Sequence, residues 1–302
     1  MTGAPLPWYL LLPLVAAFVF ALSTLFFKRA FQEGAGVWPA FIFNNVVVAL
    51  VFQPLHAVPA TPGEGSSFWH PMLAGALFFA GQLCNFTALR IGDVSLVTPL
   101  IGTKVLFVPA VAGLLFGESL RPGYGLAAGL AVGGIFLMGA TDLRPGQRMG
   151  FTSLLALGSG LSFALTDCLI QRWAPAFGSL RFIPWLFGTL GVLSLLAVPA
   201  LGPGLGRVPP GAWRWMAGAA GLTAVQAVLM TLSIGRWRDA TGVNIVYSVR
   251  GLGGIVLVWW LGGWFGNVER REVGGRRMAF RLAGSLLILA AAGAAFVGGG
   301  AG

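Results

Sequence analysis

Ten apolar runs, each close to the length that crosses a bilayer, follow one another along this chain. They lie near residues 8–27, 37–55, 68–89, 94–116, 123–140, 151–171, 182–201, 211–234, 241–263 and 279–298. A hydrocarbon core about 30 Å thick takes roughly 20 apolar residues of helix, so such runs dictate spanning helices and short connections. Charge agrees with this. Only 9% of the 302 residues are charged, whereas a soluble domain devotes roughly a quarter of its residues to charge. The 46 glycines and 11 tryptophans suit helices that approach closely and rings that settle at the headgroup level. The expected fold class is therefore an all-α integral membrane protein of ten transmembrane helices. Trp8 to Phe27 counts as the first of them. It has no basic flank before it, is of full spanning length, and ends at Lys28-Arg29, unlike a cleaved signal peptide.

The net charge of +10 does not point to nucleic acid, because the Lys and Arg residues sit in short clusters between apolar runs rather than along a stripe. The expected surroundings are the lipid bilayer of the cell membrane. Lys28, Arg29, Arg144, Arg148, Arg270, Arg271, Arg276 and Arg277 follow odd-numbered spans, which by the positive-inside rule puts both termini outside. Cys84 and Cys168 lie alone inside apolar runs and read as packing residues. His56 and His70 lie in or beside one loop, and no HExxH, Walker GxxxxGK[ST] or GxSxG with a credible base occurs. Neither an enzyme, a metal site nor a cofactor is expected.

The chain also resembles itself. FALSTLFFKRA (20–30) matches FALTDCLIQRWA (163–174), and AVPA recurs at 57–60 and 197–200. MLAGALFFAGQ (72–82) matches MAGAAGLTAVQ (216–226), and Asp93 to Lys104 aligns with Asp239 to Arg250. The offsets stay between 140 and 146 residues and keep their order, which indicates duplication of a five-helix unit over 8–140 and 151–299. Five is odd, so the second copy starts from the opposite side of the membrane. Two inverted repeats are a common carrier architecture, with the substrate site at the midplane between them.

Polar residues at membrane depth mark where that site would be. Lys104 falls near the middle of the fourth run and Arg250 at the matching slot of the ninth. A cation at the bilayer centre costs roughly 2.5–3.5 kcal/mol on insertion scales, so it normally faces a cavity or a counter-ion. Two readings follow: the bases bind an anionic group of a substrate, or an internal acid neutralises them, Asp167 in the sixth run being the candidate. Asp167 could equally serve as a coupling site. Gln82 and Gln226 occupy equivalent positions in the third and eighth runs, with Asn85 one turn beyond Gln82 and Thr223 one turn before Gln226. Tyr247 shares a helix face with Arg250. These groups, and Asn44-Asn45, could hydrogen-bond a solute or act as interhelical glue.

ALRIGDVSLVTPLIG (88–102), FGES (116–119), GLAAGLAVGGIFLMG (125–139) and the first-run ending STLFFKRA resemble the drug/metabolite transporter superfamily in its ten-helix EamA-like branch. The resemblance implies a carrier with two inverted five-helix repeats, a central cavity and alternating access, often exporting metabolites or amino acids. It also implies cytoplasmic termini, against the charge count. The second copy departs from the pattern, with FGN (265–267) and ERREVGGRR (269–277) in place of the Gly-Glu ending. A base in each of the fourth and ninth spans is similar to the plastid phosphate-translocator branch, but Gly251 stands where that branch has a second adjacent base. The expectation is a secondary transporter for a small anionic or zwitterionic metabolite. Lys104 and Arg250 would hold the anion, with Gln82, Asn85, Gln226 and Tyr247 orienting it and Asp167 as coupling group or ion-pair partner. A broad exporter of amino acids or apolar compounds and a non-transporting membrane scaffold are the alternatives. The expected partners are a small-molecule substrate and lipid, and a homodimer is allowed.

Overall fold

The structure, a computed structural model, describes residues 8–58, 67–91, 97, 100–119, 123–139, 149–201, 208–261 and 275–299. Eleven helices carry the architecture: α1 Leu11–Gln32, α2 Val37–Phe52, α3 Trp69–Ile91, α4 Lys104–Phe116, α5 Tyr124–Gly139, α6 Met149–Phe177, α7 Ser179–Leu196, α8 Pro210–Trp237, α9 Ala240–Tyr247, α10 Arg250–Leu261 and α11 Gly275–Gly299. No strand occurs among the described residues. Seven helical stretches are long and apolar enough to cross a membrane, from Trp8–Gln32 to Ala279–Val297, and Leu100–Phe116 and Tyr124–Met138 are shorter apolar helices.

The packing is that of a bundle whose outer surface meets lipid. Leu114, Leu126, Leu154, Leu196 and Val297 are each at least two-thirds exposed, which water would penalise by roughly 25 cal/mol per Å². Alanines and a few large side chains, among them Phe41, Phe182, Leu186 and Ile234, fill the interior. The main helix pairs are α1 with α8, α3 with α6, α2 with α7, and α5 with α11. Two crossings require glycine. A Cβ on Gly75 of α3 would lie 2.3 Å from the Leu186 carbonyl oxygen of α7, and one on Gly134 of α5 would lie 2.5 Å from the Gly284 carbonyl of α11.

The small polar residues bind neighbouring helices to one another. Ser23 donates to the Ala219 carbonyl at 3.0 Å and bonds Thr223 at 2.9 Å, joining α1 to α8. Asn45 donates to Ser194 at 3.0 Å, joining α2 to α7, and Asn44 donates to Asn45. Asn45 and Thr223 thus bond across helices, whereas Asn44 bonds its neighbour Asn45 within α2.

The ninth expected span is not a single helix. The run 241–263 divides into α9 and α10, with Ser248 and Val249 in a turn between them. The helical ladder tightens there to bonds three residues long, from Ser248 to Ile245, Val249 to Val246 and Gly251 to Ser248. The Ser248 hydroxyl also donates to the Ile245 carbonyl at 2.6 Å. The fourth run tightens in the same way at Thr103, whose N–H and hydroxyl both donate to the Leu100 carbonyl. A hydroxyl that competes for backbone carbonyls loosens an α-helix, and a mid-helix stretch of such turns marks a hinge.

Candidate functional site

Each of those turns places a base at the first residue of the helix that follows. Lys104 opens α4 and Arg250 opens α10. Both line one small cavity of about 20 Å³, together with Gly102, Val105, Ile135, Asn244, Tyr247 and Ser248. That is space for roughly one water molecule beside the two bases. Pro109 within α4 cannot donate to the Val105 carbonyl one turn back, in the turn that borders the cavity.

The two bases are held differently. Lys104 Nζ lies 2.6 Å from Asp167 Oδ2 of α6, with side chains 14% and 9% exposed. The same carboxylate oxygen accepts from Asn244 Nδ2 at 2.7 Å, and Asn244 also donates to the Ala240 carbonyl within α9. Lys104 lies 5.7 Å from the centre of the Phe163 ring. Arg250, by contrast, has no carboxylate within salt-bridge distance among the described residues. Its guanidinium carbon lies 4.8 Å from the Tyr247 ring centre and 5.3 Å from that of Phe20. The two rings meet edge-on at 6.0 Å. Cation–π contacts of this kind contribute about 0.5–2 kcal/mol each, but they leave the cation without a counter-charge.

Of the residues expected at the site, Lys104, Arg250, Tyr247 and Asp167 come together. Gln82, Asn85 and Gln226 are partly buried on α3 and α8, and none of them lines this cavity. Asp93 lies outside the described residues. The sequence reading missed Asn244, although it sits three residues before Tyr247 and so shares its face. It also missed Phe20, which stands within the repeated FALS segment.

A second polar cluster closes one end of the bundle. Gly117 ends α4 with a left-handed φ of +64°, its N–H on the Gly113 carbonyl and that of Glu118 on Ala112. This is a C-terminal cap that favours glycine. Glu118 then accepts a hydrogen bond from Gln171 of α6, and Gln171 Oε1 accepts from the Ala240 N–H at 2.6 Å. Asp239 caps α9 by accepting from Gly242 N at 2.9 Å. Its other oxygen accepts from the Tyr124 hydroxyl at 2.8 Å and from the Tyr9 hydroxyl. Tyr9 in turn stacks on Trp237 at 5.3 Å. Short helix α9 is thus fixed at its start by this cluster and in its middle by Asp167. No single spacing in the sequence links these residues, because they come from five separate segments.

Long apolar helices with lipid-facing leucines, packed around buried charge, define a multi-pass membrane protein. Residues 6–140 match the EamA-like transporter family, as the motifs at 88–102, 116–119 and 125–139 led one to expect. Members of that family are membrane transporters rather than enzymes. No curated protein matches the chain. Among solved structures, one described as "Crystal structure of protein" superposes with a TM-score of 0.71 at 18% identity, covering 96% of this chain and 97% of that one. That likeness carries the fold across nearly the whole length.

Proposed function

We propose that the protein is a secondary transporter that moves a small anionic or zwitterionic metabolite across the cell membrane by alternating access. On this reading, residues 8–140 and 151–299 are inverted repeats of five spans, with α9 and α10 together making the ninth span. Lys104 and Arg250 face the substrate from matching spans. The observation that carries the proposal is the cavity itself: two bases 146 residues apart in sequence, each opening a helix after a tightened turn, border one small cavity. Discontinuous helices at a buried charged site are the usual construction of carrier binding sites. The helix pairs support it too. Exchanging spans 1–5 with 6–10 turns the pair α1–α8 into α6–α3, and leaves α2–α7 and α5–α11 as they are.

Asp167 is the counter-ion of Lys104 here. A substrate anion at Arg250 would lie beside this ion pair, which ties occupancy of the site to the packing of α6 and α9. The test is anion uptake into proteoliposomes by the parent protein, Lys104→Ala and Arg250→Ala. Both variants, correctly inserted, are expected to lose at least about tenfold in uptake. Parental uptake in both would refute the anion site. Uptake of cationic dyes without any competition by anions would instead favour an exporter of apolar compounds.

A further inference from the structure

The charges around the cavity do not cancel. Lys104 and Arg250 border it, and Asp167 is bonded to Lys104, so two cations stand against one carboxylate. Of the remaining lining groups, Asn244, Tyr247 and Ser248 are polar and uncharged, and Gly102, Val105 and Ile135 are apolar. Glu118 and Asp239 are further acids among the described residues, and neither lines the cavity. Their bonds run to Gln171, to two tyrosines and to a backbone N–H at the end of the bundle. Among the described residues, the site therefore holds one surplus positive charge, located on Arg250.

We infer that the transported ligand is an organic monoanion, with Arg250 meeting its charged group while Lys104 stays with Asp167. This rests on the carrier reading above and narrows it. A single negative charge brings the occupied site to neutrality. A dianion would leave an unbalanced negative charge beside the buried Asp167, a zwitterion would bring a cationic group with no counter-charge, and a neutral solute would leave Arg250 uncompensated. A buried charge without a partner is strongly disfavoured in a medium of low dielectric. The guanidinium suits the task, because it offers parallel N–H donors to the two oxygens of a carboxylate or sulfonate. Its neighbours Tyr247 and Phe20 present ring surface to it. Val105 and Ile135 give the body of the ligand an apolar wall.

The test varies ligand charge while holding the body nearly constant. Purified protein in proteoliposomes is offered methanesulfonamide, methanesulfonate and methanedisulfonate, and in parallel the corresponding benzene series. The parent is expected to take up the monosulfonate of at least one series about tenfold faster than the neutral or doubly charged member. Uptake should rise with an inside-positive potential, since one negative charge enters per turnover. Asp167→Asn raises the surplus to two charges and should shift the preference towards the disulfonate. The double variant Lys104→Met with Asp167→Asn keeps the surplus at one charge and should keep the ratio of monosulfonate to disulfonate uptake, whatever its loss in absolute rate, even where Asp167→Asn alone fails to fold. Equal uptake of mono- and disulfonates, or a double variant that has lost the preference, overturns the monoanion inference alone. If no anion of either series moves or binds, the anion-carrier reading itself fails.

Discussion

Removing one partner of the Lys104–Asp167 pair should cost far more than removing both. At 2.6 Å and an effective dielectric of about 20, the direct attraction is roughly 6 kcal/mol, and the desolvation of two buried ions offsets much of it. What does not cancel is a charge left alone. Lys104→Met leaves Asp167 buried with the Asn244 amide at 2.7 Å as its remaining strong donor. Such a bond to a charged group contributes about 1.5–3 kcal/mol, too little to replace the lysine. The expected loss is roughly 3–5 kcal/mol, the usual cost of breaking a buried pair from one side. Asp167→Asn keeps the shape and Asn244 keeps a neighbour, but Lys104 is left as a second uncompensated cation close to Arg250, with an expected loss of roughly 2–4 kcal/mol. In the double variant no lone charge results. Its loss should fall short of the sum of the singles by at least about 2 kcal/mol. Equilibrium unfolding in mixed micelles, run as a double-mutant cycle on the four proteins, measures this coupling. Additivity to within about 0.5 kcal/mol would mean that the two side chains do not interact in the folded protein, and the charge accounting of the site would fall with it.

Three smaller tests address other parts of the molecule. Asp239→Ala removes the cap of α9 and an acceptor of the Tyr9 and Tyr124 hydroxyls, and it should cost roughly 2–4 kcal/mol, against about 1 for Tyr124→Phe. Thermal unfolding in detergent checks the ranking, and equal losses would mean that Asp239 is not the centre of the cluster. Gly284→Val should prevent α5 and α11 from packing, because its Cβ would meet the Gly134 carbonyl at 2.5 Å. Gly129→Ala, whose Cβ meets nothing within 4 Å, should change stability by less than about 1 kcal/mol in the same unfolding assay. Asn45→Ala, which cuts the α2–α7 bond, should cost no more than about 1–2 kcal/mol, the range for polar bonds between membrane helices.

The membrane fold was legible because one physical constraint writes it into the whole chain: every span must be apolar, and nothing else in the sequence has that length. Lys104 and Arg250 were legible for the converse reason, since a base at bilayer depth is costly enough to require an explanation wherever it occurs. Asn244, Tyr9, Tyr124 and Glu118 were not. Each is inexpensive where it stands, and its role exists only through a partner on another helix. The break between α9 and α10 was hidden for a related reason. Apolar length alone cannot register a turn of two residues, although Ser248 and the glycines at 251, 253 and 254 were visible as groups that loosen a helix. The sequence also left two roles open for Asp167, and geometry decides between them only in part. Its bond to Lys104 makes it the counter-ion here, but that bond is also what shows that the site is not symmetric. Matched slots in the two halves predicted two equivalent bases. The structure instead pairs one with an acid and leaves the other among aromatic rings, so the asymmetry around Asp167 supplies the net charge. Selectivity for ligand charge should therefore follow substitutions at Asp167 more closely than exchanges of lysine for arginine at either base.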